Sequence, residues 1–273
     1  MKYVPRARPA SEKFSTAEAL VVVPTYQEAH TIGRLLDEVA RVAPALDVLV
    51  VDDDSPDGTA RLVRQDRRYS GRVFLLERFG ARGLAGAYRD GFAWALERGY
   101  DVVVQMDADL SHPPSALPRL IAALGDADVA VGSRYVAGGS TDGWTAHRRL
   151  LSRGGNLYVQ TALGLHVADA TSGFKAFRAS ALREIDVLSS GTDGYAFQIE
   201  NAWRAERRGL RVWEVPIRFV DRTAGTSKMS GAIVREALIR VAGWRLKELV
   251  SWGSHPTAPE LATVPDPGGR RAR

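Results

Sequence analysis

Five short apolar runs, rich in β-branched residues, punctuate the first half of the chain: ALVVV (19–23), DVLVV (47–51), VFLL (73–76), DVVVQM (101–106) and DVAVG (128–132). Runs of this length without polar alternation fit strands buried on both faces, as in a parallel sheet. Between them the apolar period lengthens. Ile32, Leu35, Leu36, Val39 and Val42 recur on one helical face, with Thr31 placed to cap the first turn. Leu117, Leu120, Ile121 and Leu124 repeat the pattern after Pro113-Pro114, a pair suited to a helix start. Strand–helix alternation predicts an α/β fold, a doubly wound and mostly parallel central sheet flanked by helices.

Polar residues cluster in one kind of place. PTYQE (24–28), DDDSPDGT (52–59), MDADLSHP (106–113) and GSRY (132–135) each follow a predicted strand directly. The carboxyl ends of strands in an open parallel sheet share one edge, and ligands bind there. Four separate segments therefore converge on one cleft. No G-x-G-x-x-G follows the first strand and no G-x-x-x-x-G-K-[ST] occurs anywhere, which argues against a dehydrogenase or a P-loop NTPase. Asp107-Ala108-Asp109 instead ends a predicted strand, where residues two apart point the same way. Carboxylates that close repel unless a proton or cation intervenes. Hard oxygen ligands, few in number, suit Mg²⁺ or Mn²⁺ that completes its shell with substrate phosphates. The plainer alternative is two aspartates capping the next helix. Arg134, Arg222 and Lys228 favour the first reading, since they could neutralise a diphosphate sharing the metal.

Composition narrows the classes further. The 273 residues are 45% hydrophobic and 25% charged, enough for one large globular domain or two modest ones. Without cysteine there is no disulfide framework, thiolate metal site or Cys nucleophile. The formal net charge is +5, of which residues 1–18 and 254–273 hold three, leaving a nearly neutral core. A nucleic-acid partner is not expected, because such binders carry a dense basic stripe. No uninterrupted apolar stretch reaches 18 residues, and the N-terminus has no secretory apolar region. The expected organisation is a flexible tail over 1–18, a catalytic domain over 19–230, an amphipathic helix over 231–252 and a disordered tail over 253–273.

PTYQE, DDDSPDGT, RGLAGA (82–87), MDADLSHPP, GSRY, TSGFKAF (171–177), GYAFQIE (194–200) and VPIRFVDRTAGTSKM (215–229) occur in this order. Together they resemble the polyprenyl- or dolichyl-phosphate mannosyltransferase family, inverting glycosyltransferases of the GT-A type, over roughly residues 19–250. Each motif alone is weak, and the ordered set is specific. The resemblance implies that Pro24, Tyr26, Glu28 and Val51 line the base and ribose end of the nucleotide, with Asp53 hydrogen-bonding the base. It implies that Asp107 and Asp109 bind Mg²⁺ or Mn²⁺, Asp109 more directly and as the main catalytic residue, with Ala108 between them at the nucleotide sugar. Arg134 would face the donor, Arg222 and Lys228 would hold phosphates from a closing loop, and His112 would orient the acidic loop. Arg149 and Ser152 are candidate contacts for the acceptor phosphate. Ser111 stands where relatives often carry Gln, and Arg82 where many carry Lys, a planar fork in place of a point charge.

The implied reaction moves mannose from GDP-mannose to polyprenyl phosphate. A phosphate acceptor is already anionic near neutral pH and needs no dedicated base. Alternatives are a UDP-glucose-dependent glucosyltransferase on the same lipid, or a transferase acting on a glycan, for which Glu200 is the candidate base. A lipid acceptor implies work at the cytoplasmic face of a membrane, peripherally or beside a membrane-embedded partner protein. In 231–252, Ile233, Val234, Ala237, Leu238 and Val241 form one apolar face, with Trp244 and Trp252 flanking Arg245 and Lys247. That face can lie in a lipid interface or pack on the protein itself, and both readings stand at this level.

Overall fold

The computed structural model describes residues 16–66, 68, 71–80, 83–221 and 238–246. Arg82, Arg222, Lys228, the C-terminal tail, residues 1–15 and most of 231–252 lie outside them. Residues 16–18, assigned to the N-terminal tail from sequence, form one 3-10 turn leading into the first strand.

Seven strands build one sheet: β1 (Ala19–Thr25), β2 (Asp47–Asp52), β3 (Val73–Glu77), β4 (Val102–Gln105), β5 (Val129–Ser133), β7 (Lys175–Arg178) and β8 (Val212–Pro216). Their order is β3-β2-β1-β4-β7-β5-β8. Every pairing is parallel except the two made by β7. Since β4 and β5 both run opposite to β7, they run with β1 and β2, and all four end on one edge. The five expected strands are all present.

The apolar runs alternate between two layers, as a sheet buried on both sides requires. Leu20, Val22, Leu49, Val51 and Val103 face a layer containing α3 (Leu84–Glu97), α5 (Ala146–Leu163), α6 (Ala179–Glu184) and α7 (Gly194–Arg207). Ala19, Val21, Val23, Val48, Val50 and Val104 face the other, with α1 (Ile32–Val42), α2 (Thr59–Gln65) and α4 (Leu117–Ala123). Each Val or Leu so buried contributes about 1.5–3 kcal/mol, which is why the central strands tolerate no polar alternation. Helix α3 lies very close to the sheet: a Cβ at Gly91 would fall 2.4 Å from Val22 Cγ1.

Helix α1 starts where the periodicity places it, but Thr31 does not cap it with its side chain. Its hydroxyl donates to the Glu28 carbonyl at 3.2 Å and the Glu28 carboxylate at 2.8 Å. The helix instead grows from a turn in which the Glu28 carbonyl accepts the Thr31 and Ile32 amides.

A second, two-stranded sheet pairs β6 (Ser140–Asp142) with β9 (Arg218–Val220). Residues 238–246 form a further helix, α8. Of the two readings of its apolar face, packing on the protein holds for part of it. Val241 is fully buried in the core layer of α7, and Trp244 stacks on Trp203 of α7 with ring centroids 5.4 Å apart. Ile239 and Leu246 point to solvent.

Candidate active site

The loops after β1 and β2 are sewn together by side chains of the DDDSPDGT segment. Thr25 Oγ1 donates to the fully buried Asp52 at 2.7 Å, the Gln27 amide to Ser55 Oγ at 3.0 Å, the Glu28 amide to Thr59 Oγ1 at 3.0 Å, and the Ala29 amide to Asp57 at 3.0 Å. Burial opposes ionisation of Asp57, yet the Thr59 hydroxyl and the Ala29 and Thr59 amides outweigh it and hold its carboxyl below the usual range. Three non-glycine residues at this edge adopt the left-handed region: Gln27 (φ 60°), Asp54 (φ 57°) and Leu110 (φ 63°). Such strain, about 1–3 kcal/mol each, persists where surroundings over-determine a site.

Tyr26 and Glu28 are half-buried on the first loop, and Pro24 is half-buried near the end of β1. Val51, expected at the nucleotide, has its side chain wholly buried in the core beside Gly91 of α3. Asp53 is also committed inward. Its two oxygens accept from Arg78 Nη1 and from the Gly83 amide, and Arg78 also pairs with Asp90 at 2.7 Å.

The acidic turn after β4 is held from three sides. Tyr88 of α3 donates its hydroxyl to Asp107 Oδ1 at 3.0 Å, and burial, then the Asp107 charge, push the Tyr88 phenol well above its ordinary range, keeping it a donor. His112 Nδ1 accepts the Asp107 amide at 3.1 Å. That bond makes Nδ1 an unprotonated acceptor, so its 3.9 Å approach to the Asp107 carboxylate is not an ion pair. The imidazole stacks on Phe174. Ser111 turns inward: its amide and hydroxyl both bond Asp109 Oδ1, at 3.0 and 2.6 Å. Asp107 stays partly exposed, while Asp109 is buried and Ala108 is part of the core.

Among the described residues no group of three His, Cys, Asp or Glu could hold a metal by itself. Two carboxylates with space before them fit a hard cation shared with a substrate diphosphate. Gly173 keeps that space: a Cβ there would stand 3.4 Å from the His112 ring and 3.6 Å from Asp107 Oδ2.

Two residues before Gly173, Thr171 lines a cleft of about 700 Å³, counting its open mouth, with apolar walls from Leu151, Val159, Ile199 and Leu238. Arg134, Arg148 and Ser152 supply its polar end. Arg134 Nε and Nη2 grip the buried Asp169 at 2.7 and 2.6 Å, and the carboxylate keeps the guanidinium charged despite burial. Arg148 lies over the Trp144 ring, 4.1 Å from its centroid, and pairs with Asp221 at 2.8 Å. Ser152 accepts the Tyr135 hydroxyl at 2.6 Å.

Arg149, the candidate acceptor contact from sequence, does not line this cleft. Arg149 is exposed and folds back onto the Trp144 carbonyl at 2.6 Å. Thr145 caps α5 by accepting the Arg148 amide, which starts the helix so that 148, 152, 155 and 159 share the cleft face. The i, i+4 spacing from Ser152 was the available signal. Asp169, Tyr88 and Arg78 had none, since their partners are 35, 19 and 25 residues away in sequence. Glu200, the candidate base of the glycan reading, is buried on α7 and accepts from Ser190, Thr192 and Arg204.

Fold and edge together define a glycosyltransferase of GT-A type. The chain belongs to glycosyltransferase family 2, whose family model, "Glycosyl transferase family 2", matches residues 20–186. Within that family it sits with the polyprenyl-phosphate mannosyltransferases. It is 48% identical over 231 residues to an undecaprenyl-phosphate mannosyltransferase of Micrococcus luteus, covering 83% of this chain and 93% of the relative. It is 43% identical to a polyprenol monophosphomannose synthase of Mycolicibacterium smegmatis, covering 85% and 88%. Among solved structures, glucosyl-3-phosphoglycerate synthase from Mycobacterium tuberculosis superposes with TM-score 0.63 at 19% identity, covering 89% of this chain and 86% of that one. That likeness concerns the fold alone.

Proposed function

We propose that the protein transfers mannose from GDP-mannose to a polyprenyl phosphate with inversion, giving polyprenyl phosphomannose and GDP. The observation that carries this reading is the cleft pairing two guanidiniums with apolar walls, linked to the acidic turn by the 171–173 segment. A phosphate headgroup would meet Arg134, Arg148 and Ser152, and the prenyl chain would run along Leu151, Val159 and Leu238. The relatives' names supply the sugar and the lipid class.

In the proposed step an acceptor phosphate oxygen bonds to the anomeric carbon as the bond from that carbon to the diphosphate oxygen breaks. The electron pair leaves with GDP. No protein base is required, in keeping with Glu200 being fully engaged elsewhere. Asp107 and Asp109 would hold a divalent cation, Mg²⁺ or Mn²⁺, which when bound neutralises charge developing on the leaving diphosphate. Tyr88, His112 and Ser111 keep those carboxylates in position. Pro24, Tyr26 and Glu28 would serve the nucleotide, and Arg222 and Lys228 its phosphates.

Membrane contact is proposed as peripheral, since no described helix is long and apolar enough to cross a bilayer. Leu150 and Leu157 of α5 and Ile239 and Leu246 of α8 are each at least 60% exposed. Tyr158 of α5 fastens to the Leu238 carbonyl of α8, so both helices flank the cleft.

The test supplies labelled GDP-mannose or UDP-glucose with polyprenyl phosphate and Mg²⁺ or Mn²⁺. Label should enter the organic phase from GDP-mannose. Label entering only from UDP-glucose would refute the donor, and faster transfer to a soluble glycan would refute the acceptor.

A further inference from the structure

Beneath the arginine-lined cleft lies a layer of buried polar side chains that the transfer described above does not use. Lys175, the first residue of β7, is wholly buried and stands opposite Gln105 of β4 and Val131 of β5. Its ammonium donates to the Gln198 carbonyl at 2.9 Å, to Gln198 Oε1 at 3.1 Å and, at longer range, to the Ala170 carbonyl at 3.5 Å. Three acceptors suit the three N–H bonds of an ammonium better than the two of a neutral amine. All three are uncharged.

The other cations here are compensated. Arg134 grips Asp169, and Arg148 pairs with Asp221. Lys175 has no carboxylate of its own within hydrogen-bonding reach among the described residues, and an uncompensated buried charge is costly. Gln105 and Asn201 also bury both side-chain polar atoms, and Gln198 its Nε2, without partners among the described residues. This layer is not arranged for greatest stability, which points to a role in binding. The charged groups acting on Lys175 are Asp169 and Arg134. From α7 it meets Gln198, from β4 Gln105 and from β5 Val131, none of them ionisable.

We propose that Lys175 is a positioning residue that couples acceptor binding to proton uptake: an anion in the cleft supplies the negative charge its ammonium lacks, so acceptor and proton bind more tightly together. The inference rests on placing the acceptor phosphate between Arg134 and Arg148. Lys175 acts through Asp169, whose carboxylate both holds Arg134 and attracts the ammonium.

Burial pulls the Lys175 ammonium down to about 7, Asp169 opposes the fall, and the like charge of Arg134 adds to it. The group therefore changes charge near neutrality. A bound anion raises that value, so acceptor affinity falls as pH climbs from the free value toward the bound one. The acceptor's own ionisation has the opposite effect. A phosphate monoester loses its second proton near pH 6, which would strengthen binding as pH rises.

The experiment titrates the full-length protein with a short-chain polyprenyl phosphate in detergent. Calorimetry near pH 7.5, in buffers of different ionisation enthalpy, counts protons, and tryptophan fluorescence follows affinity. Expected are net proton uptake and a Kd rising about tenfold from pH 6.5 to 8.5, both lost in Lys175→Met. Proton release or no exchange by the unaltered protein overturns the proposal, whether or not the variant folds. So does uptake that persists in Lys175→Met. Arg148→Ala separates the two readings. Unchanged affinity in that variant refutes the acceptor placement and the inference with it. Weakened affinity alongside zero uptake by the unaltered protein leaves the placement standing and refutes the role of Lys175.

Discussion

Arg148 and Arg149 are neighbours in sequence with different surroundings, one over Trp144 in the cleft and the other folded against a backbone carbonyl outside it. Arg148→Ala should raise the acceptor KM about tenfold or more, the scale of one charge-assisted hydrogen bond. Arg149→Ala should leave it within about twofold, as expected of an exposed surface change. Steady-state kinetics with polyprenyl phosphate varied distinguishes the two. For the acidic turn, Asp109→Asn should lower kcat by about 100-fold or more, with the metal requirement weakened in the same assay. Ser111 belongs to that argument too. Short as it is, it bonds Asp109 directly, so its contribution is to hold the carboxylate and not to extend toward a ligand.

At the scale of elements, the edge is rigid because loops from β1 and β2 share hydrogen bonds and the acidic turn is anchored to α3 through Tyr88. That anchoring depends on α3 lying close to the sheet, and Gly91 permits the approach. Gly91→Ala should destabilise the protein by about 1–3 kcal/mol, the cost of overpacking a dense core, measured by denaturant unfolding. Activity per folded molecule should fall as well, since α3 carries Tyr88. A fully stable and active Gly91→Ala protein would mean that α3 shifts without consequence for the turn.

At the scale of the whole molecule, Lys175 makes a prediction about stability with a definite sign. Its folded value is depressed to about 7 from 10.5. The folded state thus resists protonation, and stability is reduced in full below about pH 7 and recovered as pH rises toward the unfolded value. Lys175→Met should therefore raise the melting temperature most at pH 6 to 7, with the gain shrinking toward pH 10. The exposed leucines and isoleucine of α5 and α8 bear on membrane contact. Replacing Leu150, Leu157, Ile239 and Leu246 with Gln should lower the affinity for anionic vesicles in co-sedimentation, by about 100-fold or more if two Leu equivalents insert. Activity on detergent-dispersed acceptor should be retained.

The five strands of apolar run, four buried and β3 half-buried at the sheet's edge, were legible in the sequence with α1 and the clustering of polar segments at one edge, because burial on two faces writes itself as continuous apolar runs. Strand β7 was not, since KAFR opens on a lysine and has only four residues; nor was its reversed direction. The short strands β6 and β9 carry no run at all. The motifs likewise singled out Asp107 and Asp109 as a pair, whose spacing is local. The inward commitment of Val51, Asp53 and Glu200, and the placing of Arg148 rather than Arg149 on the cleft face, were decided only by the tertiary structure. Periodicity is a property of neighbours along the chain and can be read there. Which charge meets which depends on sheet register and helix phase, and these bring Arg134 to Asp169 and Lys175 to Gln198 across 35 and 23 residues of sequence.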